Sequence, residues 1–215
     1  MQPIISIVGK SDSGKTTLLE SLITELKQRR YKVAVIKHSS HDVELDTVNK
    51  DSWRFSRAGS EVSAISSSSK FAVFRNLEQD FGLPELSQFL CSGSDLILTE
   101  GFKQSNHPKI EVHRKEQGKE LLSPPEQLLA VVTDEPLDIG APQFSTDEVH
   151  KLVDLIEKKL LNQRGEDDVD LFINNTYVPI SPATKNLFLR TLLAMVSSKG
   201  LKNVKSLRLS LRRKR

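Results

Sequence analysis

Residues Gly9-Lys10-Ser11-Asp12-Ser13-Gly14-Lys15-Thr16 spell G-x-x-x-x-G-K-T. The run stands between an aliphatic stretch, Ile4 to Val8, and residues Leu18, Leu19, Leu22, Ile23 and Leu26 at helical spacing. Strand, glycine-rich turn and helix in that order restrict the chain to an α/β fold of the P-loop type. The glycines let the backbone wrap a triphosphate, and the loop amides and helix N-terminus face its negative charge. Lys15 is expected to reach the β- and γ-phosphates and the Thr16 hydroxyl to hold Mg²⁺, with Thr17 beside it in the first helical turn. A bland glycine-rich turn would not carry both flanks.

Alternation of strands and helices extends this pattern into a mostly parallel sheet covered on both faces. Val33–Ile36, Leu96–Thr99 and Leu129–Val132 read as buried strands, and 64–66 with 71–74 as a shorter pair around a serine run. Residues 109–114 alternate apolar and polar, which predicts a strand with one wet face. Ser145 to Glu148 offers a capping box before a helix through Val149, Leu152, Val153, Ile156, Leu160 and Leu161. The polar stretch 162–168 is the best domain boundary, separating a nucleotide-binding domain, 1–163, from a small ββαβ-like module, 169–215. In that module a hairpin is expected over 169–180. Ser181-Pro182 should then cap a helix ending near Gly200, and an edge strand is expected over 204–211. Leu187, Phe188, Leu192 and Leu193 are expected to bury against the hairpin. A module this small needs a neighbour to complete its core.

The 215 residues carry 37% hydrophobic and 27% charged side chains and a net charge of +3, which suits a soluble globular chain. No apolar run is long enough to span a bilayer, and no secretory leader is evident, so neither a membrane nor export is expected. Cys91 is the only cysteine, which excludes an internal disulfide or a cysteine-based zinc cluster and fits a cytoplasmic setting. Basic residues crowd 202–215, but without interleaved aromatics nucleic acid has no stacking platform, and a partner-facing or solvated tail is expected instead.

Glu100 ends a buried strand and is followed by glycine. Ligands in open α/β sheets sit at the carboxyl ends of strands, so Glu100 is placed to face the same Mg²⁺ as Thr16. Asp95 enters that strand from the other end and should be structural. A second polar rim follows the strand at 33–36: Lys37, His38, His41 and Asp42, then Lys50, Asp51 and Arg57. His38 and His41 with Asp42 have a spacing open to metal binding, although hydrogen bonding or anion binding is commoner for such a pair. Asn49-Lys50-Asp51 is not the guanine-reading Asn-Lys-x-Asp motif, because the acid comes one residue early and the segment follows an early strand.

Lys10 lies five positions before Lys15. P-loop proteins similar to MinD-like ATPases carry a second lysine there that reaches a nucleotide held by a facing subunit; a solvated loop lysine is the alternative. More specifically, five motifs recur together: Gly9 to Leu19; Lys37-His38 with His41-Asp42; Lys50-Asp51-Ser52 with Arg57-Ala58-Gly59; Glu100-Gly101-Phe102-Lys103; and Ala130 to Asp134. In that order the chain resembles the molybdopterin-guanine dinucleotide biosynthesis protein B (MobB) family over roughly residues 3–162. Two departures are Lys10, where the family often has an aromatic or small residue, and the module after residue 168.

The resemblance implies a homodimeric GTP-binding protein with weak GTPase activity that assists the guanylyltransferase joining GMP to molybdopterin. It places Thr133 and Asp134 at the guanine base. It assigns Lys37, His38, His41, Asp42, Lys50, Asp51 and Arg57 to a pocket for the phosphate or pterin of the molybdenum cofactor. No catalytic residue is identifiable, since neither an arginine finger nor a water-positioning glutamine stands out. Two other classes share a P-loop and a strand ending in glutamate: a metallochaperone GTPase, and a ligase resembling dethiobiotin synthetase. The first is disfavoured by the missing histidine-rich tail and Cys-Pro-Cys pair, the second by the absence of a long glycine run after Glu100.

Overall fold

The computed structural model describes residues 2–39, 46–77, 80–91, 93–118, 120–162, 169, 171–173 and 176–200. Its centre is a six-stranded sheet of β1 (Ile4–Gly9), β2 (Val33–Lys37), β5 (Leu96–Glu100), β6 (Lys109–Val112), β7 (Leu128–Val132) and β8 (Gln143–Phe144). The spatial order is β2-β5-β1-β6-β7-β8, and every pairing is parallel. All six strands therefore end on one side, and the P-loop leaves the sheet from its middle.

Alternation along the strands decides what covers each face. Ile5 and Ile7, Leu96 and Leu98, Ile110 and Val112, and Ala130 and Val132 share one core with two helices. These are α1 (Lys15–Gln28), through Leu18, Leu19, Leu22 and Leu26, and α4 (Val149–Ile156), through Leu152, Val153 and Ile156. Each such buried leucine contributes about 1.5–3 kcal/mol. Arg29, at the end of α1, ties the two helices together through Asp154 (2.6 Å) and Glu157 (2.8 Å). On the opposite face Ile4, Ile36 and Ile97 pack with Leu83 and Cys91 around α3 (Leu83–Leu90).

Beyond that cluster the second face carries Val8 and Val131 together with polar side chains that are buried all the same. β5 and β6 flank β1 in parallel, yet only residues 101–108 join them, with no helix. At about 3.3 Å per residue this strap is long enough to return along the sheet face. It rests on β1 through Ser105 Oγ, 3.2 Å from Ser6 Oγ, which also receives a hydrogen bond from Thr99 Oγ1 (3.0 Å). The expected wet face of β6 is therefore wrong: Lys109 is 1% exposed, Glu111 2% and His113 4%. Each is satisfied where it lies. Lys109 Nζ donates to Ser105 O (2.5 Å) and to Gln127 Oε1. Glu111 accepts from the backbone N–H of Leu122 (2.6 Å) and Ser123 (2.9 Å). Burial lowers the Lys109 pKa, opposed by the nearby Glu111 carboxylate.

A second unit comprises α2 (Asp51–Arg57) and the antiparallel strands β3 (Val62–Ser66) and β4 (Phe71–Arg75). The Ser63 hydroxyl lies 3.1 Å from that of Ser56 on α2, so Val62, Val73 and Phe71, the last 75% exposed, lie on the outer face. Asp95 is structural, accepting the Lys32 N–H at 2.8 Å. Only half of the expected capping box forms: Glu148 accepts from Ser145 N (3.0 Å) and itself becomes the N-cap of α4. A π-helical turn, Glu157–Leu161, extends that helix.

The C-terminal hairpin, β9 (Leu171–Ile173) with β10 (Thr176–Val178), packs against α3. Ser181 caps α5 (Pro182–Ser198) by accepting from Thr184 N at 3.2 Å. Burial of the α5 leucines against the hairpin is not observed. The helix has no buried residue, and Leu187, Phe188, Leu193 and Met195 are all exposed. The boundary stretch 163–168 and the expected strand 204–211 lie outside the described residues.

Candidate nucleotide site

β1 runs straight into the phosphate loop because Gly9 alone fits its end. With φ at +151°, a Cβ there would stand 2.5 Å from Val112 O and 2.7 Å from Ser13 Oγ. Ser13 is fully buried, and its hydroxyl has no hydrogen-bond partner among the described residues. Lys15 Nζ rests on the loop itself, donating to Lys10 O at 2.6 Å. Burial lowers its pKa, with Glu100 opposing the shift and Lys103 and Lys37 adding to it. Lys10 is half-buried, and its ammonium donates to Gln117 O within the same chain.

Glu100, at the end of β5, stands beside Thr16 at the start of α1. Thr16 Oγ1 lies 3.5 Å from Glu100 Oε2, and Lys37 Nζ lies 3.3 Å from Glu100 Oε1. A hydroxyl and a carboxylate at the start of α1 are a hard-oxygen donor set that fits Mg²⁺. Lys37 holds the carboxylate from the other side. Gly101, φ +97°, lets the chain turn beneath His38, whose carbonyl a Cβ would approach to 2.8 Å.

A second wall was not foreseen. The turn after β6 clamps the P-loop: Arg114 Nε donates to Ser13 O (2.9 Å) and Gln117 Nε2 to Ser11 O (2.7 Å). Arg114 also stands 3.8 Å from Asp134, whose other oxygen accepts from Lys115 N at 2.9 Å. That amide bond is the main reason the Asp134 carboxyl titrates below its usual range, with Arg114 helping. Asp134 presents an exposed carboxylate beyond β7. Thr133 is buried, its hydroxyl engaged by His113 Nδ1 (3.2 Å) and Glu135 O (2.9 Å), so it shapes the turn. The strand-end rule that singled out Glu100, applied to β6, points to Arg114 as well.

The proposed pterin rim is divided. Lys37 and His38 stand at the end of β2 beside Glu100, with His38 3.7 Å from Asp80. Asp51 and Arg57 belong to α2 and Lys50 is its N-cap, and α2 packs against β3 and β4. There Asp51 lies 3.9 Å from Arg54, and Arg57 covers the Trp53 ring at 5.4 Å. His41 and Asp42 lie outside the described residues. Among the described residues no group of three His, Cys, Asp or Glu side chains is placed to hold a metal.

The comparisons agree with this geometry. A family model described as "Molybdopterin guanine dinucleotide synthesis protein B" matches residues 4–134. A Haemophilus influenzae molybdopterin-guanine dinucleotide biosynthesis adapter protein is 41% identical over 164 residues, 76% of this chain and 92% of that protein. Its Escherichia coli namesake is 32% identical over 170 residues, 77% of this chain and 97% of its own. A crystal structure of molybdopterin-guanine biosynthesis protein B superposes with a TM-score of 0.58 at 35% identity, covering 72% of this chain and 97% of that one. The Bacillus subtilis MobB structure gives 0.58 at 27% identity, covering 71% and 97%. The metallochaperone and ligase alternatives yield to these matches. The P-loop, the carboxylate at the end of β5 and the Asp134 turn all fall within the matched span, and the chain belongs to the molybdopterin-guanine dinucleotide synthesis protein B (MobB) family.

Proposed function

We propose that this chain binds GTP with Mg²⁺ at the P-loop and acts in the cytoplasm as an accessory to the guanylyltransferase that joins GMP to molybdopterin. The observation that carries this is the convergence on one loop of Lys15, the Thr16–Glu100 pair and the Arg114–Asp134 pair. Lys15 would leave Lys10 O for the phosphates, exchanging a neutral acceptor for a charged one. Thr16 and Glu100 would hold Mg²⁺, which neutralises phosphate charge when bound. Asp134 would accept the N1 and N2 protons of guanine. Among the described residues no group is poised to activate water, which favours hydrolysis that is at most slow.

A homodimer is part of the proposal. Its support is the outer face of β3 and β4, a two-stranded sheet with Val62, Phe71 and Val73 exposed. Isolated two-stranded sheets are marginal in water, and a second copy would cover that face. The segment after residue 168 would be a separate module that docks the partner enzyme through its basic end. Calorimetric titration with GTP, ATP and nickel tests the core of the proposal. Tight GTP binding without nickel binding supports it. Nickel binding with no preference for GTP would refute it.

A further inference from the structure

A cleft at the end of β5 has none of the P-loop residues Gly9–Thr16 in its lining. It has a volume of about 510 Å³, and its lining includes His38, Leu83, Pro84, Phe102, Lys103 and His107. That volume is in the range of pockets for small organic ligands. The cleft opens at the carboxyl end of β5, two residues beyond Glu100, where α/β sheets place ligands. Its chemistry is mixed in a particular way. His38 and Phe102 present an aromatic surface, with ring centroids 4.6 Å apart and planes tilted by 38°. Leu83 and Pro84, at the start of α3, add apolar area.

Lys103 is exposed and makes no ion pair among the described residues. Its charge is felt at Lys15, so the cleft and the nucleotide's phosphate site are electrostatic neighbours. His107 is held toward its neutral form by burial, with Lys109 contributing, which leaves it a hydrogen-bonding group. Phe102 adopts φ +49°, a conformation unfavourable for a bulky side chain, and such strain concentrates at ligand sites. Asp80, 88% exposed, stands 3.7 Å from His38 Nε2.

We propose that this cleft is a second ligand site that takes a flat, phosphate-bearing bicyclic heteroaromatic of the pterin class. The ring would lie against His38, Phe102 and Pro84, with the phosphate at Lys103 facing the nucleotide. This rests on the proposed GTP-dependent role in guanylylation, since it sets the group to be guanylylated beside the GTP. It differs from the rim read from sequence by using the 102–107 strap and the start of α3 in place of α2.

The probe is neopterin monophosphate, followed by its own fluorescence, titrated into the full chain with and without saturating GTP and Mg²⁺. Saturable binding that persists with GTP bound is expected. Lys103→Ala should weaken the probe at least about tenfold while leaving unphosphorylated neopterin unaffected. His107→Ala should weaken both forms. Displacement of the probe by GTP would overturn the inference by placing the probe in the P-loop. Equal competition by inorganic phosphate, with no binding of neopterin itself, would reduce the cleft to an anion site and overturn it as well. GTP binding with no probe binding refutes the cleft alone. Probe binding with no GTP binding refutes the nucleotide reading and keeps the cleft.

Discussion

Ser13→Ala separates the cost of the phosphate loop from its use. The Ser13 hydroxyl is fully buried, has no partner among the described residues, and points into the space that Gly9 leaves open. Burying a hydroxyl without a hydrogen bond costs about 1–3 kcal/mol on mutational scales. Deleting it should therefore stabilise the nucleotide-free protein by about 1 kcal/mol, after a small loss of packing. For a chain of this size that raises Tm by about 2–4 °C. If a bound phosphate recruits this hydroxyl as a donor, the hydrogen bond to a charged acceptor contributes about 1.5–3 kcal/mol. GTP affinity should accordingly fall about 10- to 150-fold. Thermal melts without nucleotide, paired with calorimetric GTP titration, read both arms on one sample. A variant that melts lower than wild type and binds GTP equally well would refute the reasoning, because the hydroxyl would then be a packing group.

Glu100→Gln should weaken Mg²⁺-dependent GTP binding more than Mg²⁺-free binding, and equal losses by calorimetry would make Glu100 structural. Asp134→Asn should relax GTP over ATP preference by about 1–3 kcal/mol, since an amide mispairs with guanine; an unchanged ratio moves base reading elsewhere. Lys109→Ala should destabilise the fold by about 2–5 kcal/mol, by leaving a cavity and an unpaired Gln127 amide and Ser105 carbonyl under the strap, as read by urea unfolding. Glu148 is pulled down to about 2, first by Lys151 and then by Ser145, from an ordinary value of 4.5. A depressed carboxyl stabilises the fold above its unfolded value and loses that contribution as pH falls from 4.5 toward 2. Glu148→Gln should flatten the acid limb of the stability curve across that window.

The phosphate loop and the sheet were legible because each rests on a local signal. Glycines at fixed spacing mark the loop, and aliphatic runs mark strands buried on both faces. Glu100 stood out as a candidate because strand ends are where parallel sheets collect ligands, and Asp134 through the family resemblance. Local signals fail where pairing is distant. Lys109 and Glu111 read as a wet face because nothing nearby shows that residues 105, 122 and 123 will cover them. Arg114 reads as the last residue of an alternating strand until the fold brings it to Ser13, 101 positions away. The helix over 182–198 was legible from its cap, but not its burial, because its apolar positions do not settle which neighbour covers them.

The most direct test of the central claim is the yield of guanylylated cofactor in a reconstituted reaction. It would contain molybdopterin, GTP, Mg²⁺ and the cognate guanylyltransferase, with this chain or its Lys15→Ala variant added. The wild-type chain should raise the yield, and the variant, stripped of its phosphate contact, should leave the yield at the level of the guanylyltransferase alone. Equal stimulation by both proteins, or none by either, would contradict a role that works through GTP bound at this loop.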